Sequence, residues 1–199
     1  MNEKIMNFIA ENNGMISTNE AKENNISLKR LERLEKSGEL ERVAHGLYLH
    51  KDYILDPFYL LQYRSSKIVF SHNTALYLHK LSDENPSILT MTVPSGWNSP
   101  LIKEDKSYKF YYYKEEIWEI GQEKINSPYG HKINIYDKER TLCDSIINID
   151  ELGRDLVINA IKEYMTNTKN RDIEKLYKYA EILNTKEKVR TYVEVFYEV

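Results

Sequence analysis

Three short amphipathic stretches and then a strand–turn–strand pattern fall within residues 1–52. No other feature constrains this 199-residue chain as much. Ile5, Phe8 and Ile9 recur at i, i+3 and i+4, one face of a first helix that Asn12-Asn13-Gly14 ends. Ser17-Thr18-Asn19-Glu20 reads as a capping box, in which Ser17 and Glu20 each accept from the other's backbone N–H. It opens a second helix running to about Asn24. Ser27 is placed to cap a third helix that stops at Ser37-Gly38, where glycine suits the left-handed C′ position. Beyond it Leu40, Val43, Leu47 and Leu49 are apolar, and Ala44-His45-Gly46 interrupts them, as in a hairpin with a glycine turn. Helix, helix, helix, hairpin is the order of a winged helix-turn-helix, which is assigned to residues 1–52.

The third helix carries the functional signal. At about 100° per residue, Leu28, Leu31 and Leu34 centre on one face. Lys29, Arg33 and Lys36 centre on the opposite face, Arg30 lies to one side, and Glu32 and Glu35 fall on the flanks. With its leucines inward, such a helix presents a basic ridge. Lys and Arg release counterions when they contact phosphates, and Arg reads guanine edges in the major groove. Arg42 and His45 on the hairpin would reach the adjacent backbone or minor groove. The same ridge also fits a solvated face laced with Glu–Lys and Glu–Arg pairs, and winged helices serve as protein-interaction modules too. The order of the elements favours DNA.

The formal charge of −3 excludes a polybasic tail and a strongly acidic solvating chain. It does not exclude DNA binding. Residues 1–51 hold eight acids and eight bases, and the excess acid lies entirely beyond them. Affinity is therefore expected from a few positioned residues, with little help from a general basic field.

Residues 53–199 read as a second, mixed α/β domain that ends in a helical bundle, giving an α+β chain overall. Asp56-Pro57 looks like a helix start, with Asp at the N-cap and Pro at N1. Ile68–Phe70, Ile88–Val93 and Tyr108–Tyr113 read as strands, and Thr74–Leu81 as a helix. Tyr129-Gly130 forms a turn joining Glu123–Asn126 to His131–Tyr136. From Asp137 on, the pattern predicts helices to Ile147, over 151–165, over 173–183, and after a capping Thr185.

Catalytic signatures are weak. His72 and His79 lie two helical turns apart, the spacing of a metal pair and equally of two ordinary helix histidines. P-loop, His-Glu-x-x-His and dinucleotide motifs are missing. The single Cys143 excludes an intrachain disulfide framework and reads as a core residue. Asp137, Glu139 and Asp144 fit either nuclease carboxylates binding a divalent metal, or a helix cap plus an Arg140–Asp144 pair. The loop 94–100 holds Trp97, either a partner contact or a plug in the core. The readings favoured are a non-enzyme, with no metal or cofactor. The start shows no signal peptide and no run fits a membrane helix, so a cytoplasmic protein is expected.

The chain resembles the AbiEi family of antitoxins from bacterial abortive-infection toxin–antitoxin systems. The likeness rests on Arg42-Val43-Ala44-His45-Gly46-Leu47-Tyr48, Phe70-Ser71-His72-Asn73-Thr74-Ala75-Leu76-Tyr77-Leu78-His79 and Thr92-Val93-Pro94-Ser95-Gly96. Tyr136-Asp137-Lys138-Glu139-Arg140-Thr141-Leu142-Cys143-Asp144 and Lys188-Val189-Arg190-Thr191-Tyr192 extend it over nearly the whole chain. The resemblance implies a transcriptional autorepressor that binds inverted repeats in its own promoter. It also implies a C-terminal domain that counters a nucleotidyltransferase-like toxin without a stable complex, as in phage defence of type IV. The family's wing often reads Arg-x-Gly-x-Gly, where this chain has Ala44-His45-Gly46 at the tip. Two alternatives stand beside it: a winged-helix regulator with a protein-interaction domain and no toxin, and the metal-dependent nuclease.

Overall fold

The computed structural model describes residues 2–104 and 106–196; Met1, Asp105 and residues 197–199, and with them the outermost ends of both predicted domains, lie outside the described residues. The architecture is mixed α+β, and the chain divides into two compact units. One comprises residues 1–66 and 126–133, the other 67–125 and 134–199.

The first unit runs α1 (Asn2–Glu11), β1 (Met15–Ser17), α2 (Thr18–Glu23), α3 (Leu28–Lys36), β2 (Leu40–Ala44), β3 (Leu47–His50) and α4 (Pro57–Arg64). Its sheet has the order β1-β3-β2, all antiparallel, with Met15 opposite Leu49 and Arg42 opposite Tyr48. Strand β1 has no sequence signal, because three residues are too few to show alternation. Asn13 and Gly14, at φ 49° and 88°, turn the chain out of α1 and lay it along β3. The capping box forms: Glu20 N donates to Ser17 Oγ (3.1 Å) and Ser17 N to Glu20 Oε2 (2.7 Å). Ser27 occupies the N-cap of α3 but makes no side-chain cap, a correction to the sequence reading. Arg30 N reaches the Ser27 carbonyl instead, at 2.9 Å, so the first turn closes on backbone.

Leu31 and Leu34 of α3 are buried against Ile5, Ile9, Ile16 and Tyr48, while Leu28 is only partly covered. Each fully buried Leu contributes about 1.5–3 kcal/mol, which fixes the rotation of α3. Helix α4 starts as its sequence predicts, Asp56 Oδ1 accepting from Phe58 N (2.9 Å) and Tyr59 N (3.1 Å), with Pro57 at the first position. Leu55, Tyr59, Leu60 and Tyr63 then pack on Met15, Leu47 and Leu49. The first unit thus continues past residue 52.

The second unit contains β4 (Val69–Phe70), α5 (His72–Leu78), β5 (Leu89–Pro94), α6 (Leu101–Glu104), β6 (Tyr108–Tyr113), α7 (Glu115–Trp118) and most of β7 (Gln122–Asn126) and β8 (Lys132–Tyr136), whose facing ends, Asn126 and Lys132–Ile133, count with the first. Their sheet has the order β6-β5-β4-β8-β7, with β5 parallel to β6 and antiparallel to β4, and β4 parallel to β8. Then follow α8 (Lys138–Ile147), α9 (Ile149–Leu152), α10 (Arg154–Asn167), α11 (Ile173–Ile182), α12 (Lys186–Val193) and a 3-10 turn (Glu194–Phe196). Leu142, Ile146, Val157, Ile161, Leu176 and Val189 share one buried cluster that joins α8, α10, α11 and α12.

Several predicted boundaries shift, each for a local reason. The helix expected over 151–165 is two helices, because Gly153 sits at φ 98° between them. The helix expected over 74–81 begins at His72 and ends at Leu78. Lys80 at φ 59° lets Leu81 N return to the Leu76 carbonyl (2.8 Å), a Schellman closure. Ile88 is exposed and precedes β5, which starts at Leu89. Thr185 precedes α12 without a side-chain cap, its carbonyl accepting from Val189 N (2.9 Å). The one-turn helices α6 and α7 lack any periodic signal in four residues. Asp137 does cap α8, accepting from Arg140 N at 2.8 Å.

Candidate nucleic-acid interface

Helix α3 presents the predicted ridge. With Leu31 and Leu34 turned inward, Lys29, Arg33 and Lys36 are exposed on the outward side, and Arg30 is half-buried on its flank. Lys29, Arg30 and Arg33 line one open surface cleft of about 500 Å³ together with Ser27, Ser37 and Glu39. The ridge is therefore interleaved with hydroxyls, and Glu39 is its one acid at that cleft.

The hairpin places Arg42 and His45 at its exposed end. The two side chains meet, which their spacing does not announce: Arg42 Nη2 lies 3.1 Å from His45 Nδ1. A guanidinium only donates, so Nδ1 of His45 is the acceptor of this bond. A bulge at Val43, between Arg42 opposite Tyr48 and Ala44 opposite Leu47, twists the strand as it enters the turn. The turn needs Gly46. Its φ is 72°, and a Cβ there would come within 2.8 Å of Thr18 Oγ1.

Two further features of the first unit have no signature in the sequence. Tyr63 of α4 donates through its hydroxyl to the Gly46 carbonyl (3.0 Å) at the hairpin turn. Asp56, fully buried, accepts at Oδ2 from Ser127 Oγ (2.5 Å) and His131 Nδ1 (2.9 Å) in addition to its helix-capping bonds. Burial alone would raise the Asp56 carboxyl, but the hydrogen bonds from His131, Ser127 and the Tyr59 N–H, with the nearby imidazole charge, outweigh it and hold the group below the usual carboxylate range. No local spacing reveals a partner 75 residues away.

The candidate catalytic residues of the second unit are occupied by structural partners. His72 and His79 are held by separate partners. His72 is fully buried, its Nε2 facing Asn148 Nδ2 (3.1 Å), its Nδ1 facing Ser71 Oγ (2.9 Å), and its ring stacked on Tyr111 at 3.6 Å. Burial, with Arg140 and Lys109 nearby, pushes its pKa down to about 3. His79 lies past the end of α5 with Nε2 at the Tyr136 carbonyl (2.7 Å). Asp137 accepts from Tyr179 (2.9 Å) and pairs with Lys175 (3.0 Å), whereas Glu139 accepts from Tyr164 (2.6 Å). Asp144 pairs with Arg140 at 3.1 Å, both fully buried, and accepts from Tyr113 at 3.0 Å. These carboxylates face cations and hydroxyls, and among the described residues no group of three or more acids, histidines or cysteines is arranged to hold a metal.

Cys143 is buried, and burial beside Asp144 raises its thiol far above the range of a reactive thiolate. Trp97 is half-buried, tilted against Phe110 with ring centres 5.0 Å apart. No helix among the described residues is long and apolar enough to cross a membrane.

Residues 3–49 match a family described as transcriptional regulator, AbiEi antitoxin. No curated protein matches the chain at a significant level. The matched segment runs from Glu3 in α1 to Leu49 in β3 and includes every residue of the basic ridge and the hairpin tip. Over this N-terminal segment the chain is similar to the AbiEi antitoxin family of transcriptional regulators.

Proposed function

We propose that this chain is the antitoxin of a toxin–antitoxin pair and represses its own operon, the first unit acting as a winged helix-turn-helix on double-stranded DNA. The observation that carries the reading is the rotation of α3. Its leucines are anchored in the core, so Lys29, Arg33 and Lys36 stand together on the outside of a matched regulator domain, beside a hairpin tipped with Arg42 and His45. Helix α3 would enter the major groove, with Lys29, Arg30, Arg33 and Lys36 on bases and phosphates. The hairpin would be the wing. An inverted-repeat operator takes two copies of the chain, one on each half-site.

The second unit is proposed to counter a nucleotidyltransferase-like toxin, functionally and without a stable complex. The partners acquired by Asp137, Glu139 and Asp144 favour this over a metal-dependent nuclease.

Two experiments test the reading. Titration of the upstream promoter fragment with Arg33→Glu/Lys36→Glu protein should show binding lost while circular dichroism stays unchanged; retained affinity would refute it. Expression of residues 53–199 alongside the neighbouring toxin tests whether the antitoxin role needs residues 1–52, rescue showing that it does not and loss of rescue that it does.

A further inference from the structure

Arg42 and His45 lie at the turn end of the β2–β3 hairpin and must be held still to contact a fixed target. The structure supplies an external brace. The Gly46 carbonyl accepts from Thr18 N (2.8 Å) and from Tyr63 Oη (3.0 Å), and the same hydroxyl lies 3.4 Å from the His45 carbonyl. Tyr63 belongs to α4, outside the matched segment.

Tyr63 is itself backed. One turn earlier on α4, Tyr59 lies beside it with ring centres 6.3 Å apart, and Tyr59 also stacks on His131 at 4.5 Å and 22°. His131 is clamped at both nitrogens, Nδ1 2.9 Å from Asp56 Oδ2 and Nε2 3.2 Å from the Asn12 carbonyl. A carboxylate and a carbonyl can only accept, so the imidazole is the donor toward them. Beside it, a Cβ on Gly130 would come within 2.8 Å of the Asn13 amide, so the turn is seated closely against the end of α1.

We propose that residues 126–133 position the wing: His131, fixed by Asp56 and Asn12, orients Tyr59 and Tyr63, and the Tyr63 hydroxyl fixes the Ala44–Gly46 turn that carries Arg42 and His45. Tyr63, Tyr59 and His131 are positioning residues, and their value for DNA rests on the proposed role of the wing.

The test separates the brace from that role by measuring the free protein first. Amide exchange of Thr18, whose N–H bonds the Gly46 carbonyl, reports the hold on the turn. Tyr63→Phe removes one hydroxyl and should raise that exchange about two- to tenfold, the worth of one hydrogen bond, with the α3 amides unmoved. His131→Gln should raise it similarly in the wild-type background and have no further effect in Tyr63→Phe, because its influence passes through Tyr63. Additive effects, or no effect of His131→Gln, would overturn the proposal. Should His131→Gln fail to fold, Tyr59→Leu leaves the Asp56–His131 pair intact and must give the same non-additivity with Tyr63→Phe. Promoter affinity of the same variants should fall in step with the exchange. Loosened exchange with unchanged affinity upholds the brace and refutes the wing as a DNA contact.

Discussion

His72 should make the second unit acid-labile by an amount that can be worked out. The Asn148 amide donates to its Nε2, so the folded ring is neutral, and burial holds its pKa at about 3. An unfolded histidine titrates near 6.5. As pH falls below about 6.5 the unfolded chain takes up a proton that the folded chain refuses, so stability is lost on acidification until pH approaches 3. Between pH 7 and pH 5 this costs about 2 kcal/mol, at about 1.4 kcal/mol for each pH unit below 6.5. Asp144 works the other way. Burial raises its pKa to about 6, so the folded state gains a proton over the same range. The wild-type pH profile therefore mixes both. The difference between wild type and His72→Asn removes the Asp144 contribution. Asn tolerates the φ of 50° at this position. Both tryptophans, Trp97 and Trp118, belong to the second unit, so their fluorescence in a urea titration reports on it. The stability advantage of wild type over His72→Asn should shrink by about 2 kcal/mol from pH 7 to pH 5. Parallel profiles would refute a neutral buried His72.

Other consequences are open to measurement. Arg33→Ala and Lys36→Ala should each reduce the salt dependence of promoter binding, lowering the slope of log K against log salt by about 0.9 for each phosphate left unneutralised. Asp56→Ala should cost about 3–5 kcal/mol in denaturant unfolding, since it strands the buried imidazole of His131. Because its folded pKa lies below the unfolded value, the stability Asp56 contributes is present above about pH 4 and lost as pH falls further. Gly121→Ala should destabilise by about 1–3 kcal/mol in the same assay. Its φ is 80°, and the new Cβ would lie 2.8 Å from Arg140 Cβ.

The local grammar of the chain is legible where one or two turns contain the whole signal. Ser17 with Glu20, Asp56 with Pro57, and Asp137 are caps whose donors lie within three residues, and all three form. The ridge on α3 is legible because a 3.6-residue period and three leucines fix its rotation. Ser27 and Thr185 have the right residue in the right place, but neither hydroxyl caps its helix; at Ser27 the backbone carbonyl takes the Arg30 N–H instead. What stays hidden is assembled across long separations. His131 reads locally as the start of a strand, and only the fold brings it to Asp56. Arg140 and Asp144 read as an ordinary helix pair, and nothing in their spacing says that both are wholly buried with Tyr113 closing over them.

The discontinuity of the first unit bears on how the protein is made. Asp56 and His131 are separated by 75 residues, so a ribosome adding roughly 5–20 residues per second needs on the order of 4–15 s to deliver the second after the first. Through that interval the Asp56 carboxylate has neither His131 nor Ser127, and the regulator unit lacks its final segment. Strands β4, β5 and β6 of the second unit are synthesised before that segment emerges. A nascent chain released early, within those strands, would carry the whole basic ridge and still lack the residues that complete the domain presenting it. Under the proposed function, occupancy of the promoter would report chains that have progressed beyond residue 133.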